Sequence, residues 1–185
     1  MDLRDIIEYK IKPNIPQPLW ESWYIKEKIG SGSFSVVYRI EAQRADGIDE
    51  AALKVEAITA DGQLFSDSAR KNSFLNAKKK MALNETRIMK NLRDCPYIVR
   101  YEEELMRELY IDGNFEGYYN LIRMEYLQNV FELMKSGCFN CSEENVKKLA
   151  LDIGHGLKAA HDIGVIHRDI KPENMFLSDR ICLCS

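Results

Sequence analysis

Lys54 closes the run Ala51-Ala52-Leu53-Lys54, small and apolar residues of the kind that fill a strand. An ammonium in such a place is costly unless an anion neutralises it. Glu85 poses the mirror problem, a carboxylate in the helical stripe Met81, Glu85, Ile88, Met89 and Leu92. One ion pair between Lys54 and Glu85 would solve both and leave the ammonium free to hold phosphate oxygens. An ordinary lysine at an exposed strand edge is the alternative. Upstream, Gly30-Ser31-Gly32-Ser33-Phe34-Ser35-Val36-Val37 puts two glycines where backbone must approach something closely. A glycine-rich turn between strands is one way to cover phosphates, although a tight hairpin with no ligand explains the same residues. Downstream, His167-Arg168-Asp169-Ile170-Lys171-Pro172-Glu173-Asn174 holds seven polar, charged or proline residues out of eight between apolar strand segments. It is either a solvated loop or a site.

These residues need elements to hold them. Trp20 to Tyr24 leads into a strand at Ile25 to Ile29, the turn Gly30 to Ser33 follows, and the β-branched run Val36, Val37, Tyr38, Ile40 makes a second strand. Ala51 to Val55 is the third. Good helix formers run from about Asp67 to Leu92, and Pro96 ends that helix. Ile98 to Tyr101, Leu105 to Tyr110 and Tyr118 to Met124 read as further strand, with Asp112 to Gly117 as a turn. Ser142 suits an N-cap and Glu143 and Glu144 a first helical turn. Val146, Leu149, Ala150, Ile153, Leu157 and Ala160 then keep helical spacing until Gly164. Val165 to His167, Met175 to Leu177 and Ile181 to Cys184 are short strands around the polar loop. There is no internal repeat.

The octapeptide resembles the catalytic loop of protein kinases, and the other segments stand in that family's order: glycine-rich loop, Lys54, Glu85, a hinge-like Met124-Glu125-Tyr126-Leu127, then the loop with Asp169. The resemblance runs from about Tyr24 to Ser185. Lys171 and Glu173 match the serine/threonine form of the loop. It implies an α+β fold: residues 24–124 as an antiparallel β-sheet N-lobe with one regulatory helix, residues 125–185 as the hinge and a partial, mainly helical C-lobe, and residues 1–23 as an N-terminal extension. It also implies ATP and Mg2+. Ile29, Gly30, Ser31, Gly32, Ser33 and Phe34 would close over the nucleotide, Val37 and Ala52 would cover the adenine from above and Phe176 from below. Glu125 and Leu127 would bond its edge through their backbones, with Met124 as gatekeeper. Lys54, held by Glu85, would engage the α- and β-phosphates. Asp169 would accept the proton of a substrate hydroxyl or orient it, Lys171 would balance phosphoryl charge, and Asn174 would bind one magnesium ion. His167 and Arg168 read as supports, and His155 and His161 as structural.

Two departures stand out. Ser35 occupies the place of the third loop glycine, and ATP binding is expected to survive it. The chain also stops at Ile181-Cys182-Leu183-Cys184-Ser185, where the family would next have Asp-Phe-Gly. On the family's pattern these 185 residues would therefore lack the main magnesium-binding aspartate and the later helices that would cover the helix around Leu149 to Leu157, and alone they are expected to be unstable and inactive. The competing reading is a naturally short pseudokinase, a nucleotide- or protein-binding module.

Composition is consistent with this. The chain has 185 residues, 45% hydrophobic and 30% charged, enough for a real core and outside the disordered and collagen-like classes. A net charge of -3 lacks the positive field that nonspecific nucleic-acid binding requires, so the expected partner is a protein substrate with a Ser/Thr hydroxyl and no nucleic acid. No apolar run nears the roughly 18 residues of a membrane span, and Met1 to Lys12 mixes acids and bases where a signal peptide would be apolar, so the chain reads as cytoplasmic. The five cysteines fit reduced thiols. Cys138 and Cys141 are spaced like half a zinc site, but Cys182 and Cys184 alternate with apolar residues as in a strand. Lys78-Lys79-Lys80 with Arg70 and Lys71 reads as a solvated helix face.

Overall fold

The computed structural model describes residues 2–60 and 65–178. Two compact units emerge, Met1–Arg87 with Tyr101–Glu125 and Ile88–Arg100 with Tyr126–Ser185. Antiparallel strands and helices build the first, helices and a small sheet the second, the α+β composition expected from the sequence.

A five-stranded antiparallel sheet organises the first unit. Its strands are β1 (Trp23–Ser31), β2 (Ser35–Arg44), β3 (Gly47–Thr59), β4 (Tyr101–Ile111) and β5 (Asn114–Glu125), in the order β1-β2-β3-β5-β4. Residues 96–100, expected to include the start of a strand, form turns and irregular chain instead, because consecutive turns, with the Cys95 amide on the Leu92 carbonyl and the Ile98 amide on the Cys95 carbonyl, carry the chain away from the helix and β4 begins pairing only at Tyr101.

One face of the sheet is covered by the chain's first residues. A helix α1 (Leu3–Ile6) runs on through a wider π-helical turn at Ile7–Ile11 and a 3-10 turn at Lys12–Asn14. Leu3, Ile7, Ile11, Ile15 and Leu19, spaced by four, pack into one cluster with Val36, Tyr38, Leu53, Val55 and Leu121. A row spaced by four drifts about 40° per turn around a helix of about 3.6 residues per turn. The looser π-helical turn takes that drift back and keeps Ile7 and Ile11 on the sheet. The seam has polar ties as well. Tyr38 Oη donates to Glu8 Oε2 at 2.9 Å, Lys28 Nζ lies 2.9 Å from Glu8 Oε1, and Arg123 stacks over both Trp20 and Trp23.

The other face meets helix α2 (Ser68–Asn91), whose start Asp67 caps by accepting from the Arg70 amide at 2.8 Å. The sheet-facing row runs through Lys71, Leu75, Lys79, Ala82 and Thr86. Lys71 pairs with Glu116, Leu75 is fully buried, Lys79 sits 4.0 Å over the Tyr118 ring, and Thr86, buried, bonds back to the carbonyls of Ala82 and Leu83. Lys78 lies over Phe74. Lys71, Lys78 and Lys79 thus lean on the Glu116 carboxylate and the Phe74 and Tyr118 rings, while Arg70 and Lys80 are exposed as a solvated face would be. The expected apolar stripe is corrected here: Met81 is 72% exposed and the Glu85 side chain 54% exposed. Contact with the sheet passes along the 75–79–82–86 row, which sets Met81 on the outer side and Glu85 at the row's edge.

In the second unit β6 (Gln128–Asn129) pairs with β7 (Phe176–Leu177). Helix α3 (Val130–Lys135) starts from Asn129, whose side chain accepts from the Glu132 amide. Helix α4 (Glu143–Asp162) starts from Ser142 as expected, with Ser142 Oγ accepting from the Asn145 amide at 3.2 Å. Residues 165–167, expected as strand, carry no ladder pairing among the described residues. Ile181 to Cys184 lies outside them.

Gly156 marks a close approach. A Cβ there would stand 2.7 Å from the Tyr97 carbonyl oxygen, beside the Tyr97–His155 ring contact at 5.0 Å. Gly156→Ala is expected to lower stability by about 1–3 kcal/mol, as overpacking does. Urea denaturation of the full chain would show it as a lower midpoint at unchanged slope, and an unchanged midpoint would contradict the packing.

Candidate functional site

The first unit brings Lys54 and Glu85 together, with Nζ 3.0 Å from Glu85 Oε1. Strand β3 sets Lys54 opposite Val37 on β2 and Ile122 on β5, on the face that meets α2. A second carboxylate reaches the same ammonium: Glu56 Oε1 lies 2.5 Å from Lys54 Nζ and is the more buried of the two acids, 13% exposed. Burial pulls the Lys54 ammonium down, but Glu56 and then Glu85 outweigh it and hold its pKa above the ordinary lysine value. Glu56 was not anticipated. The signal lay in strand periodicity, because a residue two positions beyond Lys54 must share its face.

The glycine-rich segment forms the turn between β1 and β2. Gly30 stands opposite Val37 and Ser31 opposite Val36, and the Gly32 amide donates to the Ser35 carbonyl at 2.8 Å. Ser33 and Phe34 make its tip, with Phe34 61% exposed and Ile29 half-exposed. A Cβ on Gly32 would come 3.2 Å from Ser35 Oγ, so the serine at the third glycine's place fills space that Gly32 leaves open. On β5, Met124 lies opposite Ala52 and Glu125 opposite Ala51.

The second unit assembles the polar loop. Asn174 Nδ2 donates to the Asp169 carbonyl at 2.9 Å and to Asp169 Oδ2 at 2.8 Å, while Lys171 Nζ lies 3.1 Å from the same oxygen. The Asp169 amide donates to His167 Nδ1 at 3.3 Å. Arg168 takes φ +64°, a left-handed conformation that costs an L-residue about 1–2 kcal/mol. Lys171 first and Asn174 second hold the Asp169 carboxyl below its ordinary range, so it stays ionised. Pro172–Asn174 is a 3-10 turn that brings Asn174 back to Asp169. Since Nδ2 is committed to Asp169, Asn174 Oδ1 is the end left for a cation.

Asn129 ties this loop to the unit's framework, donating to the Glu173 carbonyl at 2.8 Å while capping α3. Sequence reasoning missed it, although an asparagine followed three residues later by Glu132 is the pattern of a capped helix start. Leu127 immediately precedes β6, and Phe176, opposite Asn129, is 41% exposed. Cys95, Cys138 and Cys141 are free thiols, and among the described residues no group of three or more His, Cys, Asp or Glu side chains could hold a metal ion. No helix among them is long and apolar enough to cross a membrane.

The profile of the protein kinase domain matches residues 23–183. Relatives include a probable serine/threonine-protein kinase of Dictyostelium discoideum, 28% identical over 156 residues that cover 82% of this chain and 26% of the relative. The ovarian-specific serine/threonine-protein kinase Lok of Drosophila melanogaster is 26% identical over 164 residues, 88% of this chain and 31% of its own. Wee1-like protein kinase 2 of Sus scrofa is 29% identical over 161 residues, 84% and 24%. The chain thus spans less than a third of the length of each of these relatives.

Proposed function

The chain belongs to the protein kinase domain family, and we propose that it serves as the catalytic domain of a cytoplasmic serine/threonine kinase that moves the γ-phosphoryl group of ATP to a hydroxyl on a protein. One observation supports this most: Asp169, Lys171 and Asn174 converge within a single loop, with one ammonium and one amide on the same carboxylate oxygen. Held there and kept ionised, the Asp169 carboxylate can orient a substrate hydroxyl and take its proton. Lys171 can turn its remaining N–H donors toward phosphoryl oxygens. On the first unit, Lys54 keeps its charge between two carboxylates and can offer its third N–H to the α- and β-phosphates. The backbone of the Gly30–Phe34 turn suits closure over phosphates, and Val37, Ala52 and Met124 offer apolar surface to a purine.

The Asn174 amide oxygen fits a hard cation such as magnesium, which takes oxygen donors and keeps several waters. When bound, that ion supplies neutralisation of phosphate charge. Lys171 and Glu173, the serine/threonine form of the loop, support the acceptor class.

The test uses the full-length protein with γ-labelled ATP, magnesium and a mixed protein substrate, followed by phosphoamino-acid analysis. Phosphoserine or phosphothreonine that vanishes on chelation is the expected result. Phosphotyrosine alone would sink the acceptor assignment, and ATP binding without transfer would favour a nucleotide-binding module.

A further inference from the structure

Asp169, Lys171 and Asn174 bond to one another, which fixes the inner shape of the polar loop but not its place in the second unit. Residues 166–174 are all exposed, so no buried apolar side chain of the loop anchors it. Asn129, 44 residues before Glu173, reaches it from another element. Its Nδ2 donates to the Glu173 carbonyl at 2.8 Å and, more weakly, to the Met175 carbonyl at 3.4 Å, the two carbonyls that bracket Asn174. Its Oδ1 accepts from the Glu132 amide at 3.2 Å and so starts α3. The Val130 amide, next along the chain, donates to the same Met175 carbonyl at 2.9 Å.

Capping alone does not call for asparagine, because serine and aspartate cap a helix equally well. Neither offers two N–H donors alongside the capping oxygen. In Asn129 the donors and the oxygen are engaged together, so one planar amide fastens the start of α3 to the loop. The carbonyls it holds lie in and just after the 3-10 turn Pro172–Asn174, which is closed by the Asn174 amide on the Lys171 carbonyl at 2.9 Å and the Met175 amide on the Pro172 carbonyl at 3.1 Å. Pinning both carbonyls pins that turn, and with it the direction in which the Asn174 side chain leaves the backbone.

We propose that Asn129 is a positioning residue for Asn174, keeping Asn174 Nδ2 on Asp169 and Oδ1 turned outward for a cation. The cation part rests on the kinase reading above. Groups that orient a metal ligand without touching the metal matter by about 10–100-fold to metal affinity or activity.

The experiment separates the tie from the cap. In the full-length protein Asn129→Ser keeps a capping oxygen and loses both N–H donors to the carbonyls. Amide hydrogen exchange, read by mass spectrometry, should quicken by about tenfold over residues 172–176, where two hydrogen bonds are lost, and stay unchanged over residues 130–136. Phosphoryl transfer should need about 10–100-fold more magnesium for half its maximal rate, a shift that a general loss of folded protein would not produce. Quickened exchange in α3 with an unchanged loop would reduce Asn129 to a helix cap and overturn the proposal, as would a wild-type magnesium requirement. If Asn129→Ser does not fold, Asn129→Asp decides by the same two readings, since it too keeps the cap and lacks the donors. If the wild-type protein transfers no phosphate, the kinase reading falls and the exchange comparison still decides whether Asn129 holds the loop.

Discussion

Asp169→Asn is expected to cut phosphoryl transfer by the full-length protein by about 10²–10⁴-fold, the usual contribution of a positioned general base. ATP affinity should hold, because Lys54 and the glycine-rich turn belong to a different unit from the loop. An asparagine can still present an oxygen to the Asn174 amide, so the loop keeps its shape. What disappears is the charge that holds Lys171 and the lone pair that takes the hydroxyl proton. The pH dependence has a definite sign. Lys171 and Asn174 depress the Asp169 pKa below the ordinary 3.8, so the basic form persists to lower pH than a free aspartate would allow. The acid limb of the wild-type rate that belongs to this group should therefore fall below 3.8, with activity lost as pH drops through it. Steady-state kinetics with a radiolabelled γ-phosphate would read both. A variant that keeps the wild-type rate would remove Asp169 from the chemistry.

The second large effect is on folding. Ile7 and Ile11, 0% and 1% exposed, seal the sheet face made by Tyr38, Leu53, Val55 and Leu121. Buried Ile→Ala changes cost about 2–5 kcal/mol each, against a total stability of about 5–15 kcal/mol for a domain. Ile7→Ala with Ile11→Ala should leave the first unit largely unfolded, even allowing for coupling between neighbours. Both tryptophans of the chain, Trp20 and Trp23, flank Arg123 in this seam, so their fluorescence reports on it directly. Denaturant titration followed at these residues should show the transition at much lower urea, and an unshifted transition would mean that the segment is peripheral. Acid should weaken the same seam. Burial pushes the Glu8 carboxyl up, but Lys28, Tyr38 and Lys12 together bring it below the ordinary 4.5. Its contribution is therefore complete above that value and is lost as pH falls through the depressed one.

Much of this was legible from local patterns. The β-branched run at Val36 to Ile40 and the small apolar run at Ala51 to Val55 found the strands around Lys54, and helical spacing with Ser142 as cap found α4 to within a residue at its start. The polar loop announced itself as a run of charges between apolar segments. Misreadings came where a local pattern had two outcomes. The stripe through Met81 and Glu85 has helical spacing, yet an amphipathic row does not say which of its neighbours will be turned inward. Lys78 and Lys79 on α2 looked solvated until the rings of Phe74 and Tyr118 were placed beneath them.

The sequence by itself determined the family, the order of its segments and the kind of chemistry, because those depend on residue types at short spacing and on a loop whose groups are neighbours in the chain. Tertiary structure alone decided what covers the sheet and what holds the lysine. The first twenty or so residues mix acids, bases and isoleucines, and only the partner face of the sheet shows that Ile7 and Ile11 are core while Glu8 is a partly exposed polar tie. Lys54 and Glu85 are 31 residues apart, and their pairing was inferable; that Glu56 stands closer and deeper than Glu85 was not. The reason is physical. A carboxylate's strength as a partner is set by the water around it, and exposure belongs to the packed molecule rather than to the chain.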